Sequence, residues 1–180
     1  MISVAAPVHR LSIDDVYRMV EAGVLAENER VELVEGVLVD MVPIGAEHDG
    51  AMAWLTRHFA SAAADAWEVR VQSMLLVGDG YLLPDLSLIE PLDRSTLPTT
   101  AHLVTEIAQT SHARDREKSR AYAACEIPEC WIVDLPARSV AVYREPADGA
   151  YQQRTAFADG ASIQPLLGDV PPVDVTALLG

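Results

Sequence analysis

The chain has 180 residues, half of them apolar, and carries a formal net charge of −14. That length suits one domain with a genuine hydrophobic core, and the apolar share excludes general disorder. The acidity counts against a protein that coats nucleic acid nonspecifically, while leaving room for local phosphate binding through a metal ion and a few basic side chains.

Ser12-Ile13-Asp14-Asp15 opens a first helix, with Ser12 as its cap, two carboxylates at its positive end and Gly23 as its stop. Arg30–Met41 then predicts two β-strands joined at Glu35-Gly36. After Pro43, Ala46–Trp67 is the longest helical candidate: Met52, Leu55, Phe59 and Ala63 form an apolar stripe, and the alanines of its second half favour helix. Glu68–Val77 reads as one strand, and Gly78-Asp79-Gly80 turns it back into Tyr81–Ile89 as a hairpin. A loop with two prolines, Pro91–Thr100, leads to a strand over His102–Ala108 and a helix over Ala113–Cys125. Cys130–Asp134 is a short apolar central strand, with Ser139–Arg144 as its neighbour and Tyr151–Phe157 as the outer strand of a hairpin. The proline-bearing tail ends in a helical turn at Val175–Leu179. With no repeat or linker, residues 1–180 are expected to form a single α/β domain, with 1–11 as a flexible arm.

Cys125 and Cys130 fit no zinc spacing and read as packed thiols of a reduced cytosolic protein. MISVAAPVHR lacks the charged start and long apolar core of a signal peptide, and no stretch nears the roughly 20 apolar residues of a membrane span. A soluble cytoplasmic protein without a membrane partner is expected.

The chemistry gathers in Leu83–Tyr122. Asp85, in a Pro84-Asp85 pair, and Glu106 both sit among aliphatic residues. Burying carboxylates there is costly, and a divalent cation is one compensation. Mg²⁺ takes one or two carboxylates plus waters and substrate phosphate, which Asp85 and Glu106 could supply. On the following helix Asp115, Lys118 and Tyr122 share a face, and Lys118 could orient an attacking water. Bland alternatives stand beside these readings. Glu32 could be a solvated strand residue, His48 a capping or surface histidine, and Asp115 with Lys118 an ordinary helical ion pair. Tyr122 is expected to pack in the core with its hydroxyl on Lys118, Trp131 to be core, and His58 and His102 to be structural.

Several ordered motifs resemble one family. Pro84-Asp85, Val104-Thr105-Glu106-Ile107, Asp115-Arg116-Glu117-Lys118 with Tyr122, and Ile127–Asp134 are similar to the Uma-two family of restriction-endonuclease-like proteins, relatives of the PD-(D/E)xK nucleases. Glu32–Gly36 and His48 resemble its N-terminal signatures. The resemblance implies an α/β, restriction-endonuclease-like mixed β-sheet flanked by helices, with additional N-terminal and C-terminal β-hairpins. It makes Asp85 the motif aspartate, Glu106 the second metal ligand, Ile107 a third member of the metal set, and Glu32 an added acidic catalytic residue. The general nuclease pattern has a lysine two residues after the glutamate, where this chain has Ala108; the resemblance moves that role to Lys118. His48, Asp115 and Tyr122 are supporting residues. Gln109-Thr110-Ser111 departs from the Ser-Pro-Ser-like stretch of many members.

The implied activity is a metal-dependent endonuclease using Mg²⁺, with Mn²⁺ as substitute, on nucleic acid and DNA before RNA. A homodimer could bring two sites to two strands. The alternatives are a non-catalytic or partner-dependent domain that keeps the fold, motivated by the net charge, and another small phosphoesterase on the same scaffold. Arg114, Arg116 and Arg120 make the one local basic cluster in the sequence, equally readable as a solvated helix face.

Overall fold

The computed structural model describes residues 8–63, 66–109 and 112–180, with side chains of 112–116 excepted. Ten of the strands among the described residues form two sheets. The first has the order β2-β1-β5-β4, from β1 (Val31–Val34), β2 (Val37–Asp40), β4 (Leu75–Val77) and β5 (Gly80–Leu82). The second runs β10-β9-β8-β7-β6-β3, from β3 (Glu68–Val71), β6 (Leu86–Ile89), β7 (Leu103–Ala108), β8 (Glu129–Asp134), β9 (Ser139–Ala147) and β10 (Ala150–Ala158). Only β7 and β8 pair in parallel in this second sheet. Parallel neighbours need a crossover, and α3 (His112–Ala124) supplies it. All six residues of β7 are buried, as expected of a strand covered on both faces.

The helices divide the core. On one face, α2 (Ala46–Ala60) lays Ala51, Leu55 and Phe59 on Leu86, Leu88, Leu103, Trp131 and Val133, and α4 (Val175–Leu179) adds Val175 and Leu178. On the other, Tyr122 of α3 packs with Val104 and Cys130 of the second sheet and with Leu75 and Leu82 of the first. This second cluster joins the two sheets. Each such fully buried aliphatic or aromatic side chain contributes about 1.5–3 kcal/mol relative to exposure. A third cluster seats α1 (Ile13–Glu21) on β1 and β5 through Val16, Leu33 and Tyr81. Ser12 caps α1 reciprocally: its hydroxyl accepts the Asp15 N–H at 3.2 Å, and its own N–H donates to the Asp15 carboxylate at 2.9 Å. The β1–β2 turn places Glu35 and Gly36 at φ +47° and +77°, the left-handed pair that a two-residue hairpin requires.

The C-terminal segment is held by Glu129, which is fully buried at the start of β8. Its Oε1 accepts from Trp131 Nε1 at 3.0 Å and from Arg144 Nε and Nη2 at 2.9 and 2.6 Å; Oε2 accepts the Leu166 N–H at 2.7 Å. Beyond it, β11 (Ser162–Ile163) and β12 (Val173–Asp174) form a two-stranded ladder.

Several expected elements differ. The helix expected over Ala46–Trp67 ends at Ala60, because Trp67 turns into the core, 5 % exposed. Alanine propensity is worth tenths of a kcal/mol per residue, less than burying a tryptophan. The single strand Glu68–Val77 is two strands in two sheets, broken where Gln72 takes φ +45°. Tyr81–Ile89 likewise divides at Leu83-Pro84-Asp85, with β5 in the first sheet and β6 in the second. The expected N-terminal hairpin is half of a four-stranded sheet. Residues 1–7 of the expected arm lie outside the described residues; Leu11 N–H donates to Gly36 O at 2.9 Å. Cys125 and Cys130 are not joined in a disulfide. Among the described residues no helix is long and apolar enough to cross a membrane.

Candidate active site at the seam of the two sheets

Asp85 lies in the three-residue passage from β5 to β6, where the chain leaves one sheet for the other. Its carboxylate is 6 % exposed and both oxygens are engaged. Oδ2 accepts the Ile107 N–H at 2.8 Å and lies 3.0 Å from His48 Nε2. Oδ1 accepts Gln72 Nε2 at 3.0 Å, and the Asp85 carbonyl accepts the Gln72 N–H at 3.2 Å. Burial favours the protonated acid, but hydrogen bonding and charge from His48, with the Ile107 and Gln72 donors, outweigh it and hold the carboxyl below its ordinary value.

Glu106, central on β7, faces α3. Its Oε2 accepts Lys118 Nζ at 3.0 Å and its Oε1 accepts the Tyr122 hydroxyl. Lys118 and Tyr122 stand four residues apart, one helical turn, so both reach one carboxylate. Lys118 Nζ also lies 2.8 Å from Glu32 Oε1, which accepts the Leu83 N–H at 2.9 Å. Burial pushes Glu106 up to about 8; the Lys118 charge and the Tyr122 hydrogen bond oppose this, and the Asp85 and Glu32 charges reinforce it. Burial pulls Lys118 down, yet the Glu106 and Glu32 carboxylates overcome it and raise its proton affinity. Two buried carboxylates, Glu32 and Glu106, therefore share the Lys118 ammonium, and the third, Asp85, is paired with His48.

The structure brings together Glu32, His48, Asp85, Glu106, Lys118 and Tyr122. Glu32 is fully buried, not a solvated strand residue, because alternation along β1 sends Val31 and Leu33 to one face and Glu32 inward toward Lys118. His48 is 7 % exposed and not a surface cap. The Tyr122 hydroxyl donates to Glu106 Oε1 in place of the expected contact with Lys118, whose ammonium offers an O–H donor no acceptor. Ile107 enters through its backbone; its side chain packs in the core under α2. The side chain of Asp115, with those of Arg114 and Arg116, lies outside the described residues, as do Thr110 and Ser111; Arg120 is exposed. His58 lies 3.1 Å from the Pro171 carbonyl and His102 2.9 Å from Glu90, both in structural contacts, and Trp131 is fully buried.

Two residues were not foreseen. Gln72 touches Asp85 directly, and Arg30 Nη2 donates to Gln72 Oε1 at 2.7 Å. The polar pair Gln72-Ser73 inside an otherwise alternating run was the available signal.

Among the described residues no three His, Cys, Asp or Glu side chains converge as a metal cage. The Asp85 and Glu106 carboxylates offer hard oxygen donors, and burial, reinforced by the Asp85 and Glu32 charges, raises Glu106, a cost that a divalent cation would relieve. Carboxylate oxygens of this kind suit a hard divalent cation better than a closed thiolate or imidazole site would.

A mixed sheet with one parallel pair, a crossover helix and helices on both faces defines a restriction-endonuclease-like α/β protein. Residues 13–170 match the model of the Uma2 family, described as "Putative restriction endonuclease", and the chain belongs to that family. A crystal structure from Anabaena variabilis ATCC 29413, described as "a putative nuclease belonging to DUF820", is similar over 96% of this chain and 98% of that one, at TM-score 0.77 and 16% identity. At that identity the likeness is one of fold. No curated protein matches the chain.

Proposed function

We propose that this chain is a divalent-metal-dependent endonuclease that hydrolyses nucleic-acid phosphodiester bonds, acting on DNA with Mg²⁺ and accepting Mn²⁺. The observation that carries this reading is the burial of three carboxylates at one seam, Glu32 and Glu106 on Lys118 and Asp85 on His48. Such a concentration of buried charge is expensive for a fold and characteristic of sites that use it.

Asp85 and Glu106, with the Ile107 carbonyl, would hold the ion. When bound, a divalent cation polarises a phosphoryl oxygen and lowers the pKa of water toward neutrality. The protein's own groups do the rest. His48 and the Ile107 N–H fix Asp85 Oδ2, and Tyr122 fixes Glu106 Oε1. Lys118 keeps its proton because two carboxylates face it, so Nζ acts as a charged donor. It orients the attacking water and stabilises charge developing on the phosphoryl oxygens. Glu32 anchors that ammonium to the β5–β6 passage. With a net charge of −14, affinity for long duplex is modest and falls with salt. A homodimer would present two such sites to two strands.

The same net charge favours the second reading, a domain that needs a partner to meet nucleic acid. The test compares cleavage of plasmid and single-stranded DNA with Mg²⁺, Mn²⁺ or chelator, using native protein and Asp85→Ala. Metal-dependent cutting lost in the variant supports the nuclease. Cutting unchanged in Asp85→Ala removes Asp85 from the site, and no cutting by folded native protein moves the reading to the partner-dependent domain.

A further inference from the structure

Gln72 is a poor choice on backbone grounds. Its φ of +45° lies in the left-handed region, which is strained for a non-glycine residue. It occupies the break between β3 and β4, where the chain changes sheets and where glycine would adopt that conformation freely. A side chain kept at such a position calls for a use of the side chain itself.

We infer that Arg30 and Gln72 form a positioning relay that sets the rotation of the Asp85 carboxylate. The inference rests on the proposed function in taking Asp85 as the ligand whose orientation matters. A glutamine amide has two ends of nearly equal shape, one accepting and one donating. Arg30 offers only donors, so the pairing of its Nη2 with Gln72 Oε1 at 2.7 Å dictates which end turns outward. The donor end is thereby committed to Asp85 Oδ1, at 3.0 Å. The Gln72 backbone N–H holds the carbonyl of Asp85 at 3.2 Å, so one residue grips both its main chain and its side chain. With Ile107 N–H and His48 on Oδ2, donors meet both oxygens and the carboxylate plane is fixed.

The relay crosses the molecule's seam. Arg30 immediately precedes β1, which carries Glu32, and its carbonyl accepts the Met41 N–H at 3.0 Å. Its guanidinium also lies 3.8 Å from Met41 Sδ. The hairpin bearing Glu32 and the passage bearing Asp85 are therefore registered through one amide. Partners of this kind govern how firmly a ligating carboxylate holds its ion.

Two variants test the relay. Gln72→Gly removes the amide while relieving the positive φ; Arg30→Met keeps an apolar stem without donors. Mn²⁺ affinity is read by electron paramagnetic resonance of the free ion, stability by thermal unfolding, and the amide by the side-chain ¹⁵N–¹H resonances of Gln72. Gln72→Gly should unfold no earlier than native protein yet bind Mn²⁺ roughly tenfold more weakly. In Arg30→Met the Gln72 amide protons should lose protection from exchange, and Mn²⁺ affinity should move in the same direction. Native-like Mn²⁺ affinity in Gln72→Gly overturns the relay, as do unchanged Gln72 resonances in Arg30→Met. Should native protein bind no Mn²⁺, the metal-site reading fails, while the amide spectrum of Arg30→Met still decides the relay.

Discussion

Glu106→Gln should flatten the dependence of stability on pH. Glu106 is 3 % exposed, and burial moves its folded-state value from an ordinary 4.5 up to about 8. Between those values the native state holds a proton that the unfolded chain has released. Stability must then fall as pH rises through the window and level off above it. Each unit of displacement is worth about 1.4 kcal/mol, so the loss across the window amounts to a few kcal/mol. Glutamine has the same shape, keeps an acceptor for Lys118 and does not titrate. Urea unfolding at pH 5, 6.5 and 8 in chelator, for native protein and variant, isolates Glu106 together with the groups coupled to it, because contributions from distant titrating residues cancel in the difference. A divalent ion bound by the carboxylate should restore the native protein at pH 8 and leave the variant largely unmoved. Parallel pH curves for the two proteins would refute the reasoning, since Glu106 would then carry no buried charge that folding must accommodate.

Tyr122→Phe removes the hydroxyl from Glu106 and should cost about 1.5–3 kcal/mol in urea unfolding. Its cleavage defect, measured as kcat against KM, should fall on kcat, because the hydroxyl positions a site group and does not meet the substrate. Glu129→Ala strands Arg144 and the Leu166 N–H, and should destabilise by about 3–5 kcal/mol. Limited proteolysis should show new cuts between Asp159 and Pro172. Gly80→Ala puts a Cβ 1.9 Å from the Leu33 carbonyl oxygen, so the backbone of β5 or β1 must move. A lowered thermal midpoint, by about 1–3 kcal/mol of stability, is the expected reading.

The elements that sequence showed well are those in which local preference and tertiary demand agree. The Ser12 cap, the Glu35-Gly36 turn and the apolar runs of β7 and β8 each state their structure within a few residues. Of the site, Asp85 and Glu106 stood out because a charge within an aliphatic run is costly, and Lys118 through its place on the following helix and the family resemblance. What stayed hidden was the division into two sheets. Alternation of side chains tells a strand from a helix, but not which neighbour the strand takes, so the interruptions at Gln72-Ser73 and Pro84-Asp85 did not by themselves announce a change of sheet. The burial of Glu32 follows from that division, and so does the contact of Gln72 with Asp85: both depend on where two distant segments meet. The end of α2 was hidden for a different reason, since the pull on Trp67 comes from Leu86 and Trp131, far along the chain.

The site draws on β1, α2, the β5–β6 passage, β7 and α3, and its members come off the ribosome over the long span from Glu32 to Tyr122. No growing chain that stops short of α3 has both a lysine and a tyrosine for Glu106. On the proposed reading, hydrolytic capacity therefore arrives late and all at once, after both sheets have closed on each other.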